Sequence, residues 1–148
     1  MDEVVRRKIL GLLDQHRIMT VATLRPDGWP QATTVGYAND GLRLYFLCGL
    51  DSQKAANLAR DNRVSLTIDH DTPQVMEIAG LSMAARAEAV VDAMEGEKAM
   101  RMLMEKYPRQ NALPLPREAL GHEARDLLRL PIVRAIDHEY PHGPGNQR

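Results

Sequence analysis

The sequence predicts an α+β domain, mainly β: a small antiparallel barrel of about six strands with peripheral helices. Three observations carry this expectation. Stretches rich in Val, Ile, Thr, Leu and Tyr recur between residues 18 and 91, and again at 130–138. Tight-turn signals, Arg25-Pro26-Asp27-Gly28 and Asn39-Asp40-Gly41, separate the first three of them. The helical periodicities that remain are short and lie before or between these stretches. At 148 residues the chain can supply one core, so a single domain over 1–148 is expected.

Val5, Ile9, Leu12 and Leu13 recur at i, i+4, i+7 and i+8, one apolar stripe on an opening helix of about three to four turns. His16 and Arg17 suit the negative end of its dipole. Residues 18–24 are rich in β-branched side chains, and residues 31–37 in Thr and small ones. Residues 42–48 are apolar on both faces except at Arg43, the mark of a central strand. Short turns between these three predict an antiparallel meander. A short helix, 52–60, follows, and Asp61-Asn62 ends it. In residues 63–69, Val64, Leu66 and Ile68 alternate with Ser65 and Thr67. After the Asp69–Pro73 turn, a long extended stretch, 75–91, contains Gly80, where a bulge or bend is expected. Asp92 caps a helix to about Tyr107 that carries Met94, Met100, Met102, Leu103 and Met104, a series read as core or interface. A Pro-marked loop (108–116), a weakly helical stretch (118–128), a last strand (130–138) and a polar tail complete the chain.

Composition narrows the function classes. Hydrophobic residues at 44% and charged residues at 26% belong to a globular chain, not a disordered one. The 19 Lys and Arg nearly cancel the 20 Asp and Glu, leaving a formal charge of −1. That balance gives no electrostatic footprint for nucleic acid or an anionic membrane. One Phe and one Trp also supply little for base stacking. Cys48 is the only cysteine, so neither an intrachain disulfide nor a Cys-rich zinc centre can form, and a cytoplasmic location is expected. The charged opening MDEVVRRKILGLLDQH is neither a signal peptide nor a membrane span. His138 and His142 stand four apart with Glu139 between and His122 upstream, but Pro141 and Gly143 oppose a helix, so no metal site is expected. No Ser-His-Asp order or phosphate loop stands out.

One stretch, LCGLDSQKAANLARDN at 47–62, raises a chemical question. Ser52 and Lys54 sit where an apolar strand gives way to a helix. Locally they have two readings. Ser52 is a common N-cap and Lys54 a solvated charge. Equally, a helix start offers free N–H groups and partial positive charge, to which a hydroxyl and an ammonium add donors for a phosphate.

Three fragments in order decide how that stretch is read. "MTVATLRPDGWPQATTVGYANDGLRLYFLCG" contains a T-hydrophobic-x-x-D-G-x-P hairpin. "DSQKAANLARDNRVSLTI" fits S-x-K-x-x-N-L-x-x-(D/N)-x-R-V, and "MAARAEAV" fits a strand with the core G/A-R-A-E. With this order and spacing, the chain from about Ile18 to Val91 resembles the split-barrel flavin-binding superfamily related to pyridoxamine 5′-phosphate oxidase. The resemblance implies a six-stranded antiparallel split β-barrel. It also implies a homodimer holding FMN at the subunit interface, and flavin-mediated hydride transfer to or from a small molecule.

Residue by residue, the resemblance makes Ser52 and Lys54 phosphate contacts, with Gln53 where some relatives carry a second basic residue. Thr33, Thr34 and Val35 match the strand lining the isoalloxazine ring; Thr is also simply a good strand former. Leu47 and Cys48 match the end of the next strand, also near the flavin, and Cys48 is expected to be a neutral buried thiol. Asn57 matches the helix Asn of the family and is expected to bond a neighbouring loop. Arg63 and Arg86 either reach the phosphate or form ion pairs. Trp29 either caps a pocket across the dimer or packs. In the family the C-terminal segment approaches the partner's flavin, which points to Tyr140 or His142 on the substrate side. The chain ends HEYPHGPGNQR without the Arg-rich signature of the B6 oxidase, so vitamin B6 oxidation is not expected. Two other readings stay open: a deazaflavin-dependent reductase in the same barrel, and a non-catalytic module that binds flavin or haem.

Overall fold

The computed structural model describes residues 1–107 and 132–137. Helix α1 (Glu3–Gln15) starts at Asp2, whose carboxylate accepts from the Val4 amide at 3.1 Å. Its apolar stripe is shorter than its periodicity suggests: Leu13 is fully buried and Ile9 and Leu10 pack beside it, but Val5 is exposed. At the other end His16 donates Nδ1–H to the Leu12 carbonyl at 2.8 Å, satisfying one free carbonyl of the last turn.

Strand β1 (Ile18–Leu24) and strand β2 (Pro30–Gly36) form the first hairpin. Pro26 and Asp27 occupy its turn, and Gly28 takes φ +86°, the left-handed conformation the corner requires. The chain continues through β3 (Ala38–Asp40), β4 (Arg43–Leu47), helix α2 (Gln53–Arg60) and β5 (Arg63–His70). A 3-10 turn over Val75–Glu77 leads into β6 (Ala79–Ala89), then α3 (Ala93–Lys106) and β7 (Ile132–Asp137). The seven strands form one antiparallel sheet in the order β2-β1-β5-β6-β7-β4-β3.

Three expectations are corrected here. The meander is broken between its two hairpins: β4 returns on the short β3 and not on β2, which stands near the opposite end of the strand order, and the other neighbour of β4 is β7. The cause is a bend at Gly36-Tyr37. Tyr37 turns inward, fully buried, and its hydroxyl donates to the Leu13 carbonyl at 2.8 Å. The sheet therefore curls, and β2 comes back against β4, closing a half-barrel. Counting β3 separately, the strands among the described residues number seven where six were expected. Gly80 makes no bulge either. The β5–β6 register runs unbroken from Arg63↔Arg86 to His70↔Ala79, and the irregularity falls earlier, at the 3-10 turn. The expected loop at 108–116, helix at 118–128 and C-terminal His122, His138, Tyr140 and His142 lie outside the described residues.

The core fills the concave side. Met19, Val21, Leu44, Phe46, Val64, Leu66, Ile68 and Ala135 are nearly inaccessible there. Strand β4 is apolar on both faces because both are covered. Leu44 and Phe46 face the core, while Tyr45 points the other way and donates its hydroxyl to Glu95 on α3 at 2.9 Å. Glu95 also receives both contacts of the Arg134 Nη1, at 2.8 and 2.7 Å, and Arg134 reaches Glu88 through Nη2 at 3.3 Å. This network seats α3 on β4 and β7. Of the α3 methionines, Met94 and Met104 are exposed and Met100 and Met102 half-buried, while Ala99 and Leu103 supply the fully buried contacts.

The end of α3 closes on the bend. Lys106 donates to the Leu13 carbonyl at 2.9 Å, and its ammonium sits 3.8 Å from the centre of the Tyr37 ring. Tyr107 lies so close to Gly36 that a Cβ there would sit 2.8 Å from its Oη and 2.9 Å from its Cζ. Gly36→Ala is therefore expected to displace Tyr107 and cost about 1 kcal/mol. Chemical denaturation of G36A beside a G36A/Y107A double variant checks this, the second change removing most of the penalty.

Desolvation lowers the Lys106 pKa to about 8, with the Asp14 charge opposing and the Arg17 charge adding to the shift. The free amine is the form the fold prefers, so between about pH 8 and the ordinary lysine value the unfolded chain binds the extra proton. Stability must then rise with pH across that window. The stability difference between wild type and Lys106→Met should grow by about 1 kcal/mol from pH 8 to 10, allowing for partial solvation. Urea midpoints at several pH values measure it; a flat difference contradicts the assignment.

Candidate functional site

The candidate residues gather where β4 runs into α2. Cys48 is buried with a free thiol. Gly49 follows, and its carbonyl accepts from both the Ser52 amide (3.1 Å) and the Ser52 hydroxyl (2.7 Å). The same hydroxyl accepts from the Ala55 amide at 3.1 Å and lies 3.4 Å from Cys48 Sγ. Ser52 is thus the N-cap of α2, and its one hydroxyl hydrogen closes the strand-to-helix turn.

Capping by Ser52 satisfies the Ala55 amide and leaves those of Gln53 and Lys54, at the first two helical positions, without an intrahelical acceptor. Lys54 is half-buried and makes no hydrogen bond or ion pair with any described residue. Two amides without an intrahelical acceptor and a nearby ammonium are groups with which an anion could bond.

Gln53 has a different employment. Its side-chain amide donates to Asn57 Oδ1 at 2.9 Å. Asn57 is fully buried, and its Nδ2 donates to Thr23 Oγ1 (3.0 Å) on β1 and Gln31 Oε1 (3.2 Å) on β2. The expected partner of Asn57, a neighbouring loop, is replaced by side chains of two strands. Arg60 adds a contact to the Leu24 carbonyl at the end of β1. Helix α2 is thereby tied to the first hairpin from its middle and from its C-terminal end.

The ring-strand candidates divide between two faces. Thr33 and Val35 pair with Val21 and Met19 and share their core-facing side; Thr34, opposite Thr20, is exposed on the other. Val35 packs against the core cluster. Thr33 Oγ1 is buried with no hydrogen-bond partner. Buried hydroxyls are seldom left unpaired, and an orphan of this kind calls for an acceptor or donor supplied from outside. Leu47 is half-buried and pairs with Ile132 of β7.

Other sequence candidates are placed elsewhere. Arg63 grips the Asp61 carboxylate through Nε (3.0 Å) and Nη2 (2.7 Å), which holds that carboxyl far below the usual range. Arg86, directly across the β5–β6 ladder, donates to Asn62 Oδ1 at 3.0 Å. Trp29 stands 72% exposed at the hairpin tip, so it does not pack within its own chain. A groove of about 480 Å³ runs between α2 and strands β6 and β7, with Cys48, Leu58, Ala87 and Val133 on its walls. Thr23 and Gln31 escaped the sequence reading. Their signal was a polar side chain at each of two inward positions, in phase with Met19, Val21 and Val35.

A curled antiparallel sheet closed by the return of β2 against β4, with helix α2 leading off the end of β4, defines a split barrel. The chain belongs to the pyridoxamine 5′-phosphate oxidase family, whose model matches residues 5–138. Among solved structures it is similar to a conserved hypothetical protein from Mycobacterium tuberculosis (27% identity, 99% of this chain and 94% of that one, TM-score 0.71). It is also similar to an FAD-binding protein from Mesorhizobium loti (17% identity, 94% and 91%, TM-score 0.65). A third is the haem storage protein HutZ from Vibrio cholerae (16% identity, 90% of each chain, TM-score 0.69). No curated protein matches the sequence. Among the described residues no helix is long and apolar enough to cross a membrane.

Proposed function

We propose that this chain binds FMN and acts as a cytoplasmic flavin-dependent oxidoreductase on a small molecule, as a homodimer with the cofactor at the subunit interface. The observation that carries the reading is a Lys54 ammonium that bonds no described residue, at a helix start whose first two amides have no intrahelical acceptor. A flavin phosphate brings nearly two negative charges and several acceptor oxygens to such a place. The orphaned Thr33 hydroxyl fits the polar edge of the isoalloxazine ring, and Thr34, Val35, Leu47 and Cys48 are the neighbouring ring-side candidates. Ser52 and Gln53 hold the helix start in shape.

When bound, FMN supplies hydride and electron transfer. The work of the protein is then to bind, orient and exclude water. Lys54 and the α2 amides fix the phosphate end; β2 sets the ring. Exposed Ile18, Trp29, Val75, Met76 and Ile78 give a second copy apolar surface to cover.

The haem reading draws support from HutZ, but the two described histidines, His16 and His70, meet each other at 3.4 Å at the far end of β5 from Arg63 and α2. The test is the mass of the protein in solution together with its flavin content after reconstitution. A dimer with one FMN per protomer is expected. A monomer, or a dimer that retains haemin and not FMN, overturns the reading.

A further inference from the structure

Apart from the tyrosines Tyr37 and Tyr45 and the thiol of Cys48, Thr23 and Asn57 are the only buried residues with polar side-chain groups among the described ones, and they are bonded to each other. Each leads to one half of the candidate cofactor site. Through Gln31, Asn57 reaches β2 two residues before Thr33, on the same side of the strand. Through Gln53, it reaches the first turn of α2, next to Lys54. Resting on the FMN reading above, we infer that Asn57 is a positioning residue: it sets the distance and angle between the phosphate-binding helix start and the ring-lining strand.

The physical case is one of rigidity. Helix α2 has eight residues, too short to hold its own shape or direction. Its apolar anchoring is small: Ala55 and Leu58 are only partly buried. What fixes it is the amide of Asn57, with three of its four hydrogen-bonding positions used and no water exposure. Such a network specifies one arrangement because every alternative strands a buried polar group. A ligand that must touch both β2 and the α2 start gains affinity from having that spacing set in advance. It also explains the amide of Gln53 in a place where a cation would add charge for the phosphate. There the amide serves the spacing.

Thr23→Val removes one bond with little change of shape, and Asn57→Leu removes all three. The experiment measures FMN and riboflavin dissociation constants for wild type and both variants, with circular dichroism confirming the fold. The two ligands share the ring and differ in the phosphate. A positioning role predicts that FMN binding weakens several-fold, up to about tenfold, as the preset spacing of β2 and α2 loosens, while riboflavin binding changes by less than about twofold. Equal weakening of both ligands in a folded variant, or no weakening of either, overturns the inference. If Asn57→Leu does not fold, Thr23→Val carries the test. Failure of the wild type itself to bind FMN is a separate result, and counts against the FMN reading rather than against Asn57.

Discussion

Lys54→Ala is expected to weaken FMN binding by between about tenfold and a hundredfold, the ~1.5–3 kcal/mol of a hydrogen bond to a charged group. The half-buried Lys54 side chain bonds no described residue, so among those residues nothing compensates for its loss or gains from it. For the same reason the fold should be indifferent, with a thermal midpoint unchanged within about a degree for a side chain with so few contacts. Lys54→Arg keeps the charge and is expected to retain most of the affinity. Raising the salt concentration should narrow the gap between wild type and K54A, because a partly exposed ion pair is screened. Fluorescence titration with FMN at two ionic strengths reads all of this. Equal affinities for wild type and K54A would remove Lys54 from the site.

Glu95→Ala is expected to have the largest effect on stability, about 2–3 kcal/mol, or roughly 5–10 °C in thermal midpoint. The Glu95 carboxylate joins three elements: Tyr45 on β4, Arg134 on β7 and its own helix α3. Without it, Arg134 keeps only the longer contact to Glu88, in a side chain whose Nε already has no partner, and the Tyr45 hydroxyl loses its acceptor. Hydrogen bonding from Arg134 holds the Glu95 carboxyl below its usual range. A lowered carboxyl stabilises the fold above the unfolded-state value and loses that contribution as pH falls through the lowered one. The gap between wild type and E95A should therefore be full at neutral pH and shrink below pH ~4.5, where the unfolded carboxyl takes up its proton. A gap that persists undiminished into acid would place the effect in packing instead.

Much of this molecule is written in its local sequence. The alternation of Val64, Leu66 and Ile68 marks β5, Asp92 marks the start of α3, and the Arg25–Gly28 and Asn39–Gly41 signals mark the β1–β2 and β3–β4 hairpins. What local pattern could not carry is the return of β2. That depends on Tyr37 burying against a helix carbonyl and on Gly36 leaving room for Tyr107, contacts spanning long stretches of chain. The double coverage of β4 was visible as a strand without a polar face, but only α3 accounts for it. At the site, Ser52 and Lys54 were legible as a pair. Their division of labour was not: Ser52 is spent on capping, while Lys54 bonds no described residue. Asn57 matched a motif, yet its partners Thr23 and Gln31 are 34 and 26 residues away and had no local mark beyond their inward phase.

The most direct test of the central claim is an equilibrium titration of the purified protein with FMN, with haemin and a deazaflavin coenzyme run in parallel. The account predicts saturable FMN binding at one per protomer, visible as quenched flavin fluorescence and structured flavin absorption, and weaker in K54A. A protein that leaves FMN unquenched while binding haemin or deazaflavin stoichiometrically contradicts it.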